Sequence, residues 1–442
     1  MKNSRYIVYK ALMRVEQDGA YSNLVLDEAL SESELDSRDK AFASNLFYGV
    51  LERKISLDYI IRKFSGRRLK KIETEVLTIL REAVYQLVFM DKVPDSAAVN
   101  EAVKLCKKEK LYRSSAFVNG LLRSITRAEE RFPMPDESDT AKYLSVKYSC
   151  PEDITQRWIN DYSRDVAEGI LTSLSGRPPI FIRTNTAKTT SEELIKLLEK
   201  DGVTVRKALI DGALEISCTG AVTMLEAYKK GFFHVQDLSS QICCELLCVR
   251  DGDTVSDVCA APGGKTMNLA QRTPSGKVFS CDIYDHKLKL IENTAKRLGL
   301  TNIKTSLRDA ADKEKQLEMS DKILCDVPCS GLGVMRRKPE IRYKSDTGAD
   351  TLPEIQLAIL ENSAKYVKPG GMLLYSTCTL NKKENNGNAE AFLKAHPEFE
   401  PAPIKLPEGI RRTIDESVNC LTLFPQTNGT DGFFIALFRK KQ

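Results

Sequence analysis

Apolar positions recur at helical spacing from Arg5 to about Arg127. Leu46, Phe47, Val50 and Leu51 share one helix face, as do Leu77, Leu80, Val84, Leu87 and Val88. Ser37 ahead of Arg38-Asp39-Lys40 marks a helix start, and Pro94-Asp95-Ser96 separates two helices before "AAVNEAVKLCKKEK". The pattern predicts an all-α domain over residues 1–130, followed by a linker in the acidic, proline-bearing "AEERFPMPDESD". Next come helix-like "PEDITQRWINDY", strand-like "PIFIRTN", helix-like "TSEELIKLLEKDG" and strand-like "GALEIS". This alternation predicts a small α/β region over 140–230, of a kind that supports RNA binding.

From Gly231 the pattern changes. Short apolar runs ("TVSDVC", "KVFSCDI", "NIKTSL", "DKILCDV", "GGMLLYS", "GFFIALF") alternate with helical stretches such as "HKLKLIENTAKRLG" and "PEIQLAILENSAKYV". Strands alternating with helices predict a doubly wound, Rossmann-like parallel sheet over 231–442, with ligands at the carboxyl ends of its strands. The expected fold is therefore multidomain: an all-α N-terminal part, a small α/β middle and an α/β C-terminal domain.

Length and composition fit this division. The 442 residues exceed one ordinary core, and 42% hydrophobic with 29% charged residues describes a soluble globular chain. The charged N-terminus offers neither a signal peptide nor a membrane span, so the expected location is the cytoplasm, where twelve cysteines stay reduced. Net charge is +5, and residues 1–130 hold 23 Lys+Arg against 19 Asp+Glu. Three basic clusters, "RRLKK" (67–71), "KKEKLYR" (107–113) and "RRK" (336–338), have the chemistry to meet phosphates, although any one of them also reads as a solvated helix face.

Chemistry concentrates at the predicted strand ends. "DVCAAPGGKT" (257–266) follows the first strand of the C-terminal domain, and Gly263-Gly264 lets a ligand approach the backbone. A P-loop ending at Gly264-Lys265-Thr266 requires glycine at 259, where the chain has Cys259, and the G-x-G-x-x-G dinucleotide fingerprint is also absent. Asp282 lies 19 positions after Gly263 at the end of the next strand, placed to meet a ribose diol. Asp309 follows the third strand, where a carboxylate can meet an adenine amine. These features suit an adenosine-bearing cofactor other than NAD.

The fourth strand ends in "ILCDVPCSGLG", with Asp326 and Cys329, and the fifth in "YSTCTLNKKEN", with Cys378. Central strands would bring these three residues to one crevice. Zinc is not expected, because the cysteines lack paired ligand spacings and only His234, His286 and His396 are available. Cys244 and Cys248, at i, i+4, read as a buried helix face, and Cys259, Cys281 and Cys325 as strand core. Two thiols and a carboxylate suit carbon methylation of a pyrimidine. A thiolate adds to C6 of cytosine, a carboxyl group at N3 stabilises the charge, C5 takes a methyl group from a sulfonium, and a base removes the C5 proton. Spacing alone leaves open which thiol attacks.

"DVCAAPGGKT", "DVPCSGLGVMRRKPEIRY", "YSTCTLNKKEN" and "NGTDGFF" occur in the order found in the Sun family of S-adenosylmethionine-dependent RNA cytosine-C5 methyltransferases, which the chain resembles. "GFFHVQDLSSQ" is similar to the entry segment of that family's catalytic domain. "DSRDKAFASNLFYGVLER", "VPDSAAVNEAVKL" and "FVNGLLR" are similar to the NusB-like N-terminal domain of one member. The resemblance implies S-adenosyl-L-methionine as cofactor (S-adenosyl-L-homocysteine as product), held by Cys259, Ala260, Ala261, Pro262, Gly263, Gly264, Lys265, Asp282, Asp309 and Asp326. It implies Cys378 as nucleophile, Cys329 as the thiol assisting release, and Asp326 on the cytosine edge. Met267 and Tyr343 depart from the common pattern outside these positions. The implied substrate is a hairpin-loop cytosine of 16S rRNA, position 967 in the usual numbering, free or within a small-subunit assembly intermediate. A monomer without metal or membrane partner is expected. Other readings are a methyltransferase for tRNA or another rRNA cytosine, and a non-catalytic RNA-binding assembly factor.

Overall fold

The computed structural model describes residues 3–20, 22–218, 220–314, 316–343 and 351–442. The chain divides into two units, one reaching to Ser175 and including the segment from Arg337, the other holding the rest. In the first, helices α1 (Ser4–Asp18), α2 (Ser22–Ser31), α3 (Ser37–Glu52), α4 (Lys54–Ser65), α5 (Thr74–Phe89), α6 (Asp95–Lys108) and α7 (Tyr112–Arg127) bury the predicted stripes. α5 is buried almost all round, with Arg81 satisfied by a bidentate pair to Asp58 at 2.7 and 2.8 Å. The helix start expected at Ser37 is capped one residue earlier, where Asp36 accepts from Asp39 N at 2.7 Å. Helices α8 (Thr140–Tyr148), α9 (Glu152–Tyr162) and α10 (Arg164–Ser173) complete this unit. The expected 140–230 region is thus divided: its helices up to Ser173 pack in the first unit, and its strands, with the later helices, in the second.

The segment Pro339–Tyr343 also packs in the first unit. Arg342 is buried and donates to the carbonyls of Glu52 (2.9 Å), Leu174 (2.9 Å) and Ser149 (3.3 Å). Tyr343 donates to Leu51 O at 2.7 Å. The "RRLKK" and "KKEKLYR" cations are exposed, with Arg67 over the Phe117 ring and Lys108 over Tyr6.

The second unit contains two sheets. Strands β1 (Ile180–Thr184), β2 (Thr204–Lys207), β3 (Ala213–Ser217) and β4 (Phe233–Val235) form an antiparallel sheet in the order β2-β3-β1-β4. β4 comes from "GFFHVQ", which the sequence assigns to the start of the catalytic domain. Alternation splits β1 between two cores. Ile182 packs with Leu194 and Leu198 of α11 (Ser191–Lys200), while Phe181 joins Leu238, Ile242 and Val255 beneath the larger sheet. Burying Phe181 there contributes roughly 2 kcal/mol. A short helix, α12 (Glu226–Lys229), precedes β4, and α13 (Leu238–Leu246) leads to the larger sheet. α13 buries Cys244 but stops before Cys248, which is exposed, so the expected buried Cys244/Cys248 face does not form.

The larger sheet contains β5 (Thr254–Asp257), β6 (Lys277–Asp282), β7 (Ile303–Leu307), β8 (Ser320–Asp326), β9 (Val367–Thr377), β10 (Phe399–Pro401), β11 (Cys420–Leu423) and β12 (Phe433–Lys440). Its order is β10-β12-β9-β8-β5-β6-β7, with β11 on β12. β5 to β9 run parallel as expected, whereas β10, β11 and β12 are antiparallel additions. Helices α14 (Gly264–Arg272), α15 (Asp285–Leu298), α16 (Leu352–Ala364), α17 (Asn388–Ala395) and the short α18 (Pro425–Asn428) connect the strands. Among the described residues no helix is long and apolar enough to cross a membrane.

Candidate active site

β8 and β9 are parallel neighbours in register, with Asp326 opposite Ser376, so the loops after them leave the sheet side by side. Val327 N donates to Ser376 O at 3.1 Å and extends the pairing into the loops. Cys329 and Cys378, 49 positions apart in sequence, are thereby brought to an Sγ–Sγ distance of 3.2 Å, both partly accessible. The hydrogen bond to Cys378, and then burial, push the Cys329 thiol well above the usual range.

Asp326 ends β8 beside them. Its Oδ2 accepts from Lys265 Nζ at 2.7 Å and its Oδ1 from Ser376 Oγ at 2.8 Å. Burial disfavours the Lys265 charge, but the Asp326 carboxylate outweighs it and raises the ammonium above its ordinary value. The Lys265 ammonium also sits 5.1 Å from the centre of the Phe433 ring.

A cavity of about 180 Å³ opens at the end of β5, walled by Asp257, Cys259–Pro262, Gly264, Lys265 and Asp326 from one side and Gln236 from another. Gly263 takes φ +104° at the turn into α14, and an added Cβ would stand 3.0 Å from Ile291, so glycine is required there. Asp257 is buried. Its Oδ2 accepts from Thr266 Oγ1 at 2.7 Å, while Oδ1 has no hydrogen-bond partner among the described residues. Burial, reinforced by the neighbouring Asp326, raises its pKa to about 7 despite the Thr266 hydrogen bond.

Asp282 ends β6, largely buried, and accepts from Ala261 N and Tyr284 N, both at 3.1 Å. Asp309 is exposed in the loop after β7 and accepts from Ala311 N at 2.9 Å. Arg308 N donates to Asp282 O at 3.0 Å, which holds that loop against the end of β6. Cys281 and Cys325 are buried core, as expected, while Cys259 is partly exposed on the cavity wall. Among the described residues, no group of three or more His, Cys, Asp or Glu side chains is arranged to hold a metal ion.

Two further features fix the thiol loops. Gly333 N donates to Cys378 O at 3.0 Å, and Gly432 N of "NGTDGFF" donates to Gly333 O at 2.9 Å. A Cβ on Gly333 would fall 2.9 Å from Cys378 O and closer still to Gly432 O, so these backbones meet only because Gly333 lacks a side chain. Glu384 lies fully buried behind the thiols. It accepts from Ser330 N (3.0 Å), Ser330 Oγ (2.5 Å), Gln356 Nε2 (2.8 Å) and Asn381 Nδ2 (2.9 Å). Gln356 also donates to Pro328 O at 2.9 Å, and Ser330 Oγ lies 2.7 Å from Thr379 Oγ1. One carboxylate therefore ties the residue after Cys329 to the loop after Cys378.

Sequence reasoning singled out the thiols, Asp326 and the cofactor loop. It missed Glu384, Gln356, Ser330, Asn381 and Asp257. Only "KEN" following the Cys378 motif hinted at Glu384, and it reads equally as a solvated loop.

Three family models match successive parts of the chain: the NusB family over residues 2–127, an RsmF/B-like ferredoxin-like domain over 150–223, and the 16S rRNA methyltransferase RsmB/F over 244–439. A probable ribosomal RNA small subunit methyltransferase B of Bacillus subtilis is 38% identical over 99% of this chain and 98% of its own length. A protein of the same description from Synechocystis is 33% identical over the whole of both chains. The crystal structure of PH0851 superposes with a TM-score of 0.81 at 28% identity, covering 99% of each chain. With all three parts matched in order and full-length relatives above 30% identity, the chain belongs to the RsmB/F family of rRNA methyltransferases.

Proposed function

We propose that the chain methylates carbon 5 of a cytosine in 16S rRNA, position 967, through a covalent bond between Cys378 and C6 of the base. The observation that carries the reading is the pair of thiols 3.2 Å apart at the ends of adjacent strands, with the Asp326 carboxylate beside them. S-adenosyl-L-methionine is the methyl donor, and as a sulfonium it supplies an electrophilic methyl group. The residues fit it: Asp257 Oδ1 is a buried acceptor without a donor on the cavity wall, suited to an ammonium group, and Asp282 stands at the end of β6 for a ribose diol. Asp309 would lie on the adenine side.

In this reading Cys378 enters as thiolate, with the Cys329 thiol 3.2 Å away as its hydrogen-bond donor. It adds to C6 as N3 takes a proton from solvent, to be returned when the C6–S bond breaks, and Asp326, oriented by Lys265 and Ser376, accepts a hydrogen bond from that N3–H. C5 becomes enamine-like and takes the methyl group. Loss of the C5 proton to a base then breaks the Cys378–C6 bond, and Cys329 assists this release by protonating the departing sulfur. Cytosine exposes C6 to such attack only when unstacked, so the target lies in a loop or is flipped out. The enzyme is proposed to act as a monomer, on free rRNA or a small-subunit assembly intermediate.

Bisulfite mapping of 16S rRNA from a strain lacking the gene tests the substrate. The 967 signal should disappear and return with the wild-type gene. Unchanged methylation at every 16S site would overturn the proposal.

A further inference from the structure

A second, larger cavity of about 780 Å³ lies in the second unit, where β1 and β2 of the small sheet face the 409–411 and 427–429 loops. This is within the ~300–1,000 Å³ of pockets that take small ligands. Its floor is apolar: Phe181 and Leu238 are buried, and Leu209 remains 43% exposed. Its rim is cationic, with Arg177, Arg336, Arg411 and Lys207 against one carboxylate on the same wall, Glu215. Lys207 is already paired with Glu192 at 2.7 Å, so Arg177 and Arg411 are taken as the cations that would meet a ligand.

The rim is tied to the reaction site through backbone. Asn428 clasps Arg411 in both directions, accepting from its N–H at 2.9 Å and donating to its carbonyl at 3.2 Å. Asn428 opens "NGTDGFF", whose Gly432 donates to Gly333 beside Cys378. Arg336 lies three residues beyond Gly333 and donates to the Gly176 and Arg177 carbonyls at 3.4 and 2.6 Å, which holds the start of β1 at the rim. Guanidiniums around an apolar floor match an unpaired nucleotide, with its base on the floor and its phosphates on the rim. A duplex presents a convex phosphate surface and cannot lay a base on that floor.

We propose that this groove binds an unpaired RNA nucleotide flanking the methylated one, with Arg177 and Arg411 on its phosphates. The proposal rests on the RNA methylation reading and adds a site outside the donor and target positions. Arg336 is left unchanged in the test because its backbone contacts hold the rim.

The full-length Arg177→Ala/Arg411→Ala variant is compared with wild type for binding and methylation of a 16S hairpin RNA across about 50–300 mM salt. Two lost contacts to single-stranded phosphates should flatten the slope of log Kd against log salt by about 1.4. The KM for RNA should rise about ten-fold, with kcat within two-fold and donor affinity unchanged. Leu209→Glu, which places a carboxylate on the floor, should raise KM without touching an arginine. Unchanged slope and KM in a wild type that methylates C5 would overturn the groove and leave the function standing. If wild type fails to methylate C5 while the double variant still loses slope, the cytosine reading fails and the groove stands. Loss of free CMP binding with RNA binding intact would make the cavity a mononucleotide site and refute the proposal.

Discussion

Glu384 touches neither proposed substrate nor donor, yet Glu384→Gln should slow methyl transfer. The carboxylate receives four donors in a site closed to solvent. A glutamine offers one oxygen to two of them and an NH₂ to the others. On the Oε2 side that NH₂ would face Ser330 N, a backbone donor that cannot accept, and Gln356, which could accept only by flipping its amide and losing its bond to Pro328 O. The amide will therefore place NH₂ toward Ser330 Oγ, which can rotate to accept, and Asn381, whose amide must flip or go unsatisfied. Charge-assisted bonds of about 1.5–3 kcal/mol become neutral ones of about 0.5–1.5, and one strained donor remains, for a net loss of about 3 kcal/mol. At about 2–4 °C per kcal/mol, Tm should fall by about 6–12 °C. Because Ser330 follows Cys329 directly and Asn381 follows Cys378 by three residues, misalignment of the thiols should lower kcat about 100-fold. The assay pairs thermal unfolding with methyl transfer to hairpin RNA, and donor Kd serves as control because the cavity wall is untouched. A fall in Tm with kcat unchanged would refute the positioning argument, and no change in either would refute the network.

Two other outcomes follow from local geometry. Gly333→Ala puts a Cβ against the carbonyls of Gly432 and Cys378, so Tm should drop and kcat should fall at least 100-fold, while donor binding, measured by calorimetry, persists. Asp257 has a folded pKa of about 7, above its unfolded value, so the native state holds the extra proton between about pH 4 and 7. Its contribution is complete below pH 4 and lost as pH rises through 7, by at most about 1.4 kcal/mol per pH unit. Unfolding curves of Asp257→Asn and wild type should therefore shift in the variant's favour from pH 5 to 7 and run parallel above pH 8. A pH-independent difference would contradict the buried, proton-retaining carboxyl.

The placement of Asp326, Cys329 and Cys378 was legible in the sequence because all three follow apolar runs and a parallel sheet directs the residues after its strands to one edge. Their contact was not, since it depends on β8 and β9 being neighbours in a particular register. The Glu384 network was hidden for another reason. "NKKEN" and "PEIQLAIL" carry polar residues that look solvent-facing, and mutual hydrogen bonding, which alone permits their burial, leaves no periodic trace. Arg342, four residues past the "RRK" cluster, is buried against backbone carbonyls, a placement that charge patterning does not signal. β4 escaped because three residues, Phe233–Val235, carry too little alternation to separate a strand from a loop.

The covalent step is tested most directly by isolating enzyme–RNA adducts of the two cysteine variants after incubation with hairpin RNA and methyl donor. Cys329→Ala should accumulate an adduct stable to denaturing electrophoresis, with the methylated cytosine attached at residue 378, because addition and transfer proceed while release is impaired. Cys378→Ala should form none. An adduct in Cys378→Ala that is absent from Cys329→Ala would reverse the roles, and no adduct in either would contradict a thiol bond to C6.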